Sequence, residues 1–278
     1  MGSGNFIGHA LPASFFFGFG CFFLLLTLQR CRHLDVKRKK NENEVIFSLS
    51  FADVYLPEHN HKLLLRSGIL LMICTTLGGL VEAGGGVKDG LGFFHQLAHE
   101  ALYLSVFFTG AVCVLEGNTL LFENAHRYAL TLTFLLQYIL WNEHALMKIN
   151  PSDARVHMLQ ANVNFVAFVM FSYSVYKPKS IFAYVASWAV MTLNGMWMFT
   201  AGLTTCCIDI MTHTVGAVLV LEVLLLVSVC TLCTACFLDP PVMSYNHTDI
   251  RNERNMKYSS VKGEENDLDD IEVGTIGC

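Results

Sequence analysis

The sequence predicts an all-α, polytopic membrane protein, a bundle of seven transmembrane helices, on three observations. Hydrophobic residues make up 53% of the 278-residue chain and charged residues only 15%, against about 25% charged in an average soluble domain. Mean hydropathy is +0.46. The charges gather in a few segments and leave apolar stretches near membrane-spanning length. These features argue against a soluble enzyme, a nucleic-acid binder and a disordered chain.

Seven apolar stretches can be marked, at roughly 11–29, 63–83, 92–115, 128–147, 157–176, 180–203 and 210–237. Together they form a membrane domain over residues 1–240. The first has no basic region before it and no clear cleavage site, so it reads as a retained helix rather than a signal peptide. Gly84-Gly85-Gly86 and Asp89-Gly90 predict a break after the second stretch. Asn150-Pro151-Ser152-Asp153 predicts one after the fourth, Lys177-Pro178-Lys179 one after the fifth, and Pro240-Pro241 the stop of the seventh. The stretches are too long for strands and lack sustained alternation. No internal repeat is visible, so a transporter built from two similar halves has no sequence support. Residues 241–278 are polar, end acidic in EENDLDDIEV, and predict a disordered cytosolic tail.

Lys and Arg orient the spans. One side collects Arg30, Arg32, Lys37, Arg38, Lys39, Lys40, Lys62, Arg66, Arg127, Lys177, Lys179, Arg251, Arg254, Lys257 and Lys262. The other collects Lys88, Lys148 and Arg155. By the positive-inside rule the N-terminus is exoplasmic and the tail cytosolic. The sequon Asn246-His247-Thr248 then lies unused in the cytosol. Ten cysteines at uneven spacing do not form a secreted disulfide framework. Cys230, Cys233 and Cys236 fit palmitoylation or plain packing better than a metal motif.

Threading the chain through seven spans sorts the eleven histidines. His33, His59, His61, His126 and His247 fall in cytosolic segments and read as solvated surface groups. His9, His95, His99, His144, His157 and His213 all fall on the exoplasmic side. His95 and His99, four residues apart, share a helix face, a spacing that can chelate one transition metal. Glu82 ends the second span on a face with Thr75 and Gly79. A carboxylate there can ligate metal, orient an imidazole or act as a base. Gln137, Trp141 and His144 share a face of the fourth span, and His157, Gln160 and Asn164 one of the fifth. Asn194, Trp197 and Ala201 share one of the sixth, with Thr200 nearby. Amides on such faces favour the bundle interior, and for Gln160 and Asn164 interhelical hydrogen bonding is the simpler reading. Glu222 lies inside the seventh span and pairs with Arg66 or takes a proton. Imidazole plus carboxylate suits zinc, and equally iron, copper or nickel. The competing readings are a metal-free polar cluster and a pH-sensitive site.

Gly8-His9-Ala10-Leu11-Pro12 followed by Ser14-Phe15-Phe16 resembles the opening of the transmembrane protein 45 family, which includes the epididymal membrane proteins. The resemblance covers residues 5–237 and implies a seven-span layout. It also implies that Glu82 ends the second span, that His99 and His144 are the histidines of the third and fourth, that His157 precedes the fifth, and that His213 is the late histidine. Ala13 departs from the family's glycine. Leu135 stands where a glutamate is frequent, and Asn142 and Arg155 stand where the family pairs its histidines.

The functional expectation is a histidine-rich exoplasmic site in a multi-pass membrane protein. Its metal ligands are His99, His144, His157 and His213, with His9 and His95 as weaker candidates, and Glu82 is a base or an orienting partner. With zinc bound, the site suits a metal-dependent hydrolase acting on lipid. The alternatives are a proton or metal-ion transporter and a non-catalytic trafficking or signalling scaffold. Expected partners are membrane lipid and a cytosolic partner of the acidic tail, with no nucleic acid.

Overall fold

The structure is a computed structural model that describes residues 4–40, 61–88, 93–178, 180–206 and 214–236. These form seven helices: α1 (Gly4–Lys40), α2 (His61–Lys88), α3 (Phe93–Gly117), α4 (Ala125–Leu146), α5 (Pro151–Tyr176), α6 (Ile181–Cys206) and α7 (Val215–Cys236). There is no strand among the described residues. The chain divides into two units, Met1–Pro240 and Pro241–Cys278. The second lies wholly outside the described residues, and with it the predicted tail.

Four helices contain a described segment long and apolar enough to cross a membrane: Gly8–Gln29, His61–Gly84, His99–Gly117 and Pro151–Tyr176. The apolar part of α7, Val215–Thr231, is shorter. The other two helices carry polar groups on their inner faces. Gln137 and His144 of α4 and Ser187, Thr192 and Asn194 of α6 are all buried within the protein. The outer surface is the reverse: Leu70, Leu77, Leu104, Leu221 and Leu224 are each more than half exposed. Apolar surface on that scale is foreign to a soluble monomer and suits contact with lipid.

The helices pack most extensively as the pairs α1/α6, α2/α3 and α4/α5, and α3/α4 and α5/α6 join these pairs. Lipid tails give helices no hydrophobic reason to associate, so close backbone approach does much of the holding. At α1/α6 a Cβ on Gly20 would lie 2.6 Å from the Thr192 backbone nitrogen. At α2/α3 a Cβ on Gly68 would lie 2.7 Å from the Gly110 carbonyl oxygen. Aromatic rings fill the centre. Phe23 stacks on Trp188 at 4.6 Å, Phe134 on Phe171 at 5.2 Å, and Phe171 meets the edge of Trp188 at 5.4 Å.

Three boundaries carry local lessons. Asn150 caps α5 by accepting from Ser152 N–H at 2.9 Å, and Pro151 follows in the first turn, where its missing N–H costs nothing. The expected break at Gly84-Gly85-Gly86 does not occur, because α2 runs on to Lys88. Each glycine costs about 1 kcal/mol relative to alanine, which a long packed helix absorbs. Helix α1 begins at Gly4, before the apolar stretch, and so carries His9 inside it.

Candidate functional site: a histidine–carboxylate cluster

Five helices bring ionisable side chains to one end of the bundle. His9 comes from α1, Glu82 from α2, His99 from α3, His144 from α4, and Asp153 and His157 from α5. The four imidazoles are 2%, 8%, 6% and 0% exposed in chain order, so bulk water does not solvate them. Glu82 Oε1 lies 3.0 Å from His99 Nδ1. The His99 and His144 rings meet edge to face at 5.1 Å, and His144 and His157 lie 5.0 Å apart. His157 Nε2 is 3.3 Å from His9 Nε2. Trp141 packs within 6 Å of His9, His144 and His157 and forms the apolar wall of the cluster.

The hydrogen bonds assign protons. His157 Nδ1 is 2.7 Å from the Asp153 carbonyl oxygen and 3.0 Å from Asp153 Oδ1. A carbonyl cannot donate, so His157 Nδ1 carries the hydrogen. When neutral, its Nε2 is therefore an acceptor, and His9 donates to it through Nε2. Lys148 Nζ lies 3.4 Å from Asp153 Oδ2.

Backbone makes the room. A Cβ on Gly8 would collide with the Glu82 carboxylate, and one on Gly79 would lie 2.9 Å from Glu100 Oε2. Below the cluster is a cavity of about 40 Å³ bordered by Gly8, Thr75, His99, Tyr103, Gln137 and Trp141, with Phe16, Val106 and Met198 among its apolar walls. Tyr103 OH, Gln137 Oε1 and Trp141 Nε1 are buried there without a hydrogen-bond partner.

Other polar pairs tie helices elsewhere. Gln160 Nε2 donates to Asn194 Oδ1 at 2.5 Å, linking α5 to α6. Trp197 Nε1 donates to the Val156 carbonyl at 3.2 Å. Thr200 Oγ1 donates to Glu222 Oε1, a partner on α6 where the sequence suggested Arg66. At the far end of α3 and α4, Glu116 accepts from Asn124 N–H at 2.6 Å and His126 N–H at 2.7 Å, and its Oε2 lies 2.8 Å from His126 Nδ1. Arg127 lies over the Tyr184 ring at 3.7 Å.

Of the residues singled out from sequence, His9, Glu82, His99, His144 and His157 are brought together. His95 lies on α3, but its side chain is outside the described residues, as is His213 altogether. His126 is 3% exposed, not solvated. Sequence reasoning missed Asp153, although it stands four residues before His157 on one helix face. It missed Tyr103, four residues after His99 on the same face, and Glu100, which has no such spacing to another candidate. A zinc ion needs ligand nitrogens at about 2.0–2.1 Å, usually from three or four residues. Among the described residues no three His, Cys, Asp or Glu side chains are grouped so as to hold a metal ion. Compared with protein-family models and with curated proteins, the chain matches none.

Proposed function

We propose that the chain is a multi-pass membrane protein whose histidine cluster is a proton-exchanging site on the exoplasmic side. The observation that carries this reading is the continuous series Glu82, His99, His144, His157 and Asp153, with His9 against His157. Two unit charges about 5 Å apart repel by roughly 3 kcal/mol at an effective dielectric of about 20. Each packed imidazole therefore feels the charge of its neighbours. The carboxylates at either end of the series compensate two protons. Protonating His157 turns its Nε2 from acceptor into donor, so His9 must then accept through Nε2 and carry its own hydrogen on Nδ1. A proton added at His157 thus forces a tautomer change at His9. The test is nitrogen-15 NMR of the histidines between pH 5 and 8 in detergent. His9 and His157 are expected to change tautomer together, and Asp153→Asn to uncouple them. Four independent titrations would sink the reading.

A zinc-dependent lipid hydrolase is the second reading, and one observation favours it. Glu82 and Asp153 engage the Nδ1 atoms of His99 and His157, the arrangement that orients metal-ligating histidines. Bound zinc would supply an activated water. His95 and His213 would complete the ligand set. Elemental analysis of the purified protein, with His99→Ala as control, decides it: absence of stoichiometric metal removes this reading. The likeness of residues 8–16 to the transmembrane protein 45 family supports the seven-span architecture assumed in both.

A further inference from the structure

The α3–α4 seam holds a column of polar groups below the histidine cluster. The two helices run antiparallel in one register, seen in three pairs: His99 with His144, Thr109 with Thr133, and Glu116 with His126. Along α4 the column is His144, Trp141, Gln137, Thr133, Leu130 and His126, steps of three or four residues on one face. Along α3 it is His99, Tyr103, Val106, Thr109, Cys113 and Glu116. All twelve residues are buried.

The column divides into three stretches. Nearest the cluster is the cavity of about 40 Å³. That is room for about three waters at roughly 10–15 Å³ each. Tyr103, Gln137 and Trp141 stand in its mostly apolar walls, and only small rotations would turn their unpaired polar atoms, now shielded, toward water there. One turn deeper, Thr109 Oγ1 and Thr133 Oγ1 share a hydrogen bond of 2.7 Å, and Thr133 also reaches the Ser105 carbonyl at 2.9 Å. From Thr109 to Glu116 is seven residues, about 10 Å along the helix. Cys113 of α3 and Leu130 of α4 stand at this level with Val112 and Ala129 beside them, all buried, and a Cβ on Gly68 of α2 would lie 2.8 Å from the Cys113 Cβ. Beyond lie Glu116 and His126. Arg127 is turned away from them, its guanidinium on Tyr184 of α6 and its Nη1 3.5 Å from the Ser174 carbonyl of α5.

We propose that this seam is a proton path between the histidine cluster and the Glu116–His126 pair, closed in this conformation by an apolar plug of Cys113 and Leu130. The proposal rests on the proton-exchanging reading of the cluster and adds a route and a gate to it. Protons pass along hydrogen-bonded waters and hydroxyls, entering at an imidazole and leaving to the Glu116 carboxylate, with no other bond made or broken. They cross about 10 Å of mostly apolar side chains poorly, since burying a charge there is costly. A polar group at the plug would let water join the two halves.

The test uses the full chain in phosphatidylcholine liposomes loaded with a pH-sensitive dye, under an imposed proton gradient with the membrane potential clamped. The wild type is expected to pass protons slowly. Leu130→Asn is expected to raise the initial rate about tenfold, equivalent to about 1.4 kcal/mol off the barrier. Cys113→Ser, nearly the same size, is expected to raise it by a smaller factor and guards against a folding failure of the first variant. Adding Glu116→Gln to Leu130→Asn should return the rate to that of wild type. Leu136→Asn, at a 40% exposed position of α4, should leave it unchanged. Wild-type rates in monodisperse preparations of both plug variants would overturn the proposal, as would an equal leak through Leu136→Asn. Flux failing while the histidine tautomers still couple discards the path alone. Uncoupled histidines discard the site itself.

Discussion

Glu82 reaches His99 because residue 8 has no side chain. The Gly8→Ala methyl would occupy the place of the Glu82 carboxylate, and no flexible neighbour can yield without breaking the Glu82–His99 contact. Only the flexible end of Glu82 has to move, so this variant should cost less than about 1 kcal/mol of stability, while the His99 nitrogen resonances should shift as the carboxylate leaves. An unchanged His99 signal would show that the carboxylate still reaches the ring from another place. At the far end, Glu116→Gln removes the charge from three short contacts. Losing such a partner costs about 1–3 kcal/mol, to be read from thermal unfolding in detergent. Residue by residue, the sequence was readable where a polar group sat within an apolar stretch. It was unreadable at His126, whose place beside the third loop suggested solvent. Its burial depends on Glu116, ten positions earlier across a turn, and no periodicity links the two.

At the scale of the element, the helix faces were legible and some of the ends were not. Gln137, Trp141 and His144 on α4, and His157, Gln160 and Asn164 on α5, share faces by spacing alone, and all six are buried. A membrane makes this inference strong, since a polar face has nowhere else to go. The Gly84-Gly85-Gly86 run misled because loop propensity is a weak force against helix continuation in packed surroundings. The Gln160–Asn194 bond between α5 and α6 gives an element-scale test. Asn194→Leu alone strands the Gln160 amide in a site with 0% exposure and should cost about 1–3 kcal/mol. Gln160→Leu added to it removes the stranded group and should recover part of the loss. A double-mutant cycle on unfolding free energies measures the coupling; strictly additive losses would show the two amides acting separately.

For the whole molecule, composition and the length of the apolar stretches were enough for the all-helical membrane class. The partnership of α1 with α6 was not legible, because it depends on glycine contacts between segments far apart in sequence. The orientation argued from Lys and Arg places the histidine cluster outside. A C-terminal tag should then be removed by protease only from vesicles with the cytosolic face exposed, and Asn246 should stay unglycosylated; a glycan there reverses the orientation.

The pairing of His9 with His157 across 148 residues has a consequence for biosynthesis. At about 5–20 residues per second, His9 is made roughly 7–30 s before His157. The Thr192 backbone that receives Gly20 is made later still. Through that interval α1 lies in the bilayer without the surface it is shaped to fit, carrying a histidine and a face of small residues. A nascent chain stopped at residue 178 lacks α6, so its first helix should stay exposed to crosslinking with lipid or insertion factors. That exposure should end once α6 has left the translocation machinery. If crosslinking of the residue-20 region is already lost before α6 is made, α1 finds another temporary partner among α2 to α5.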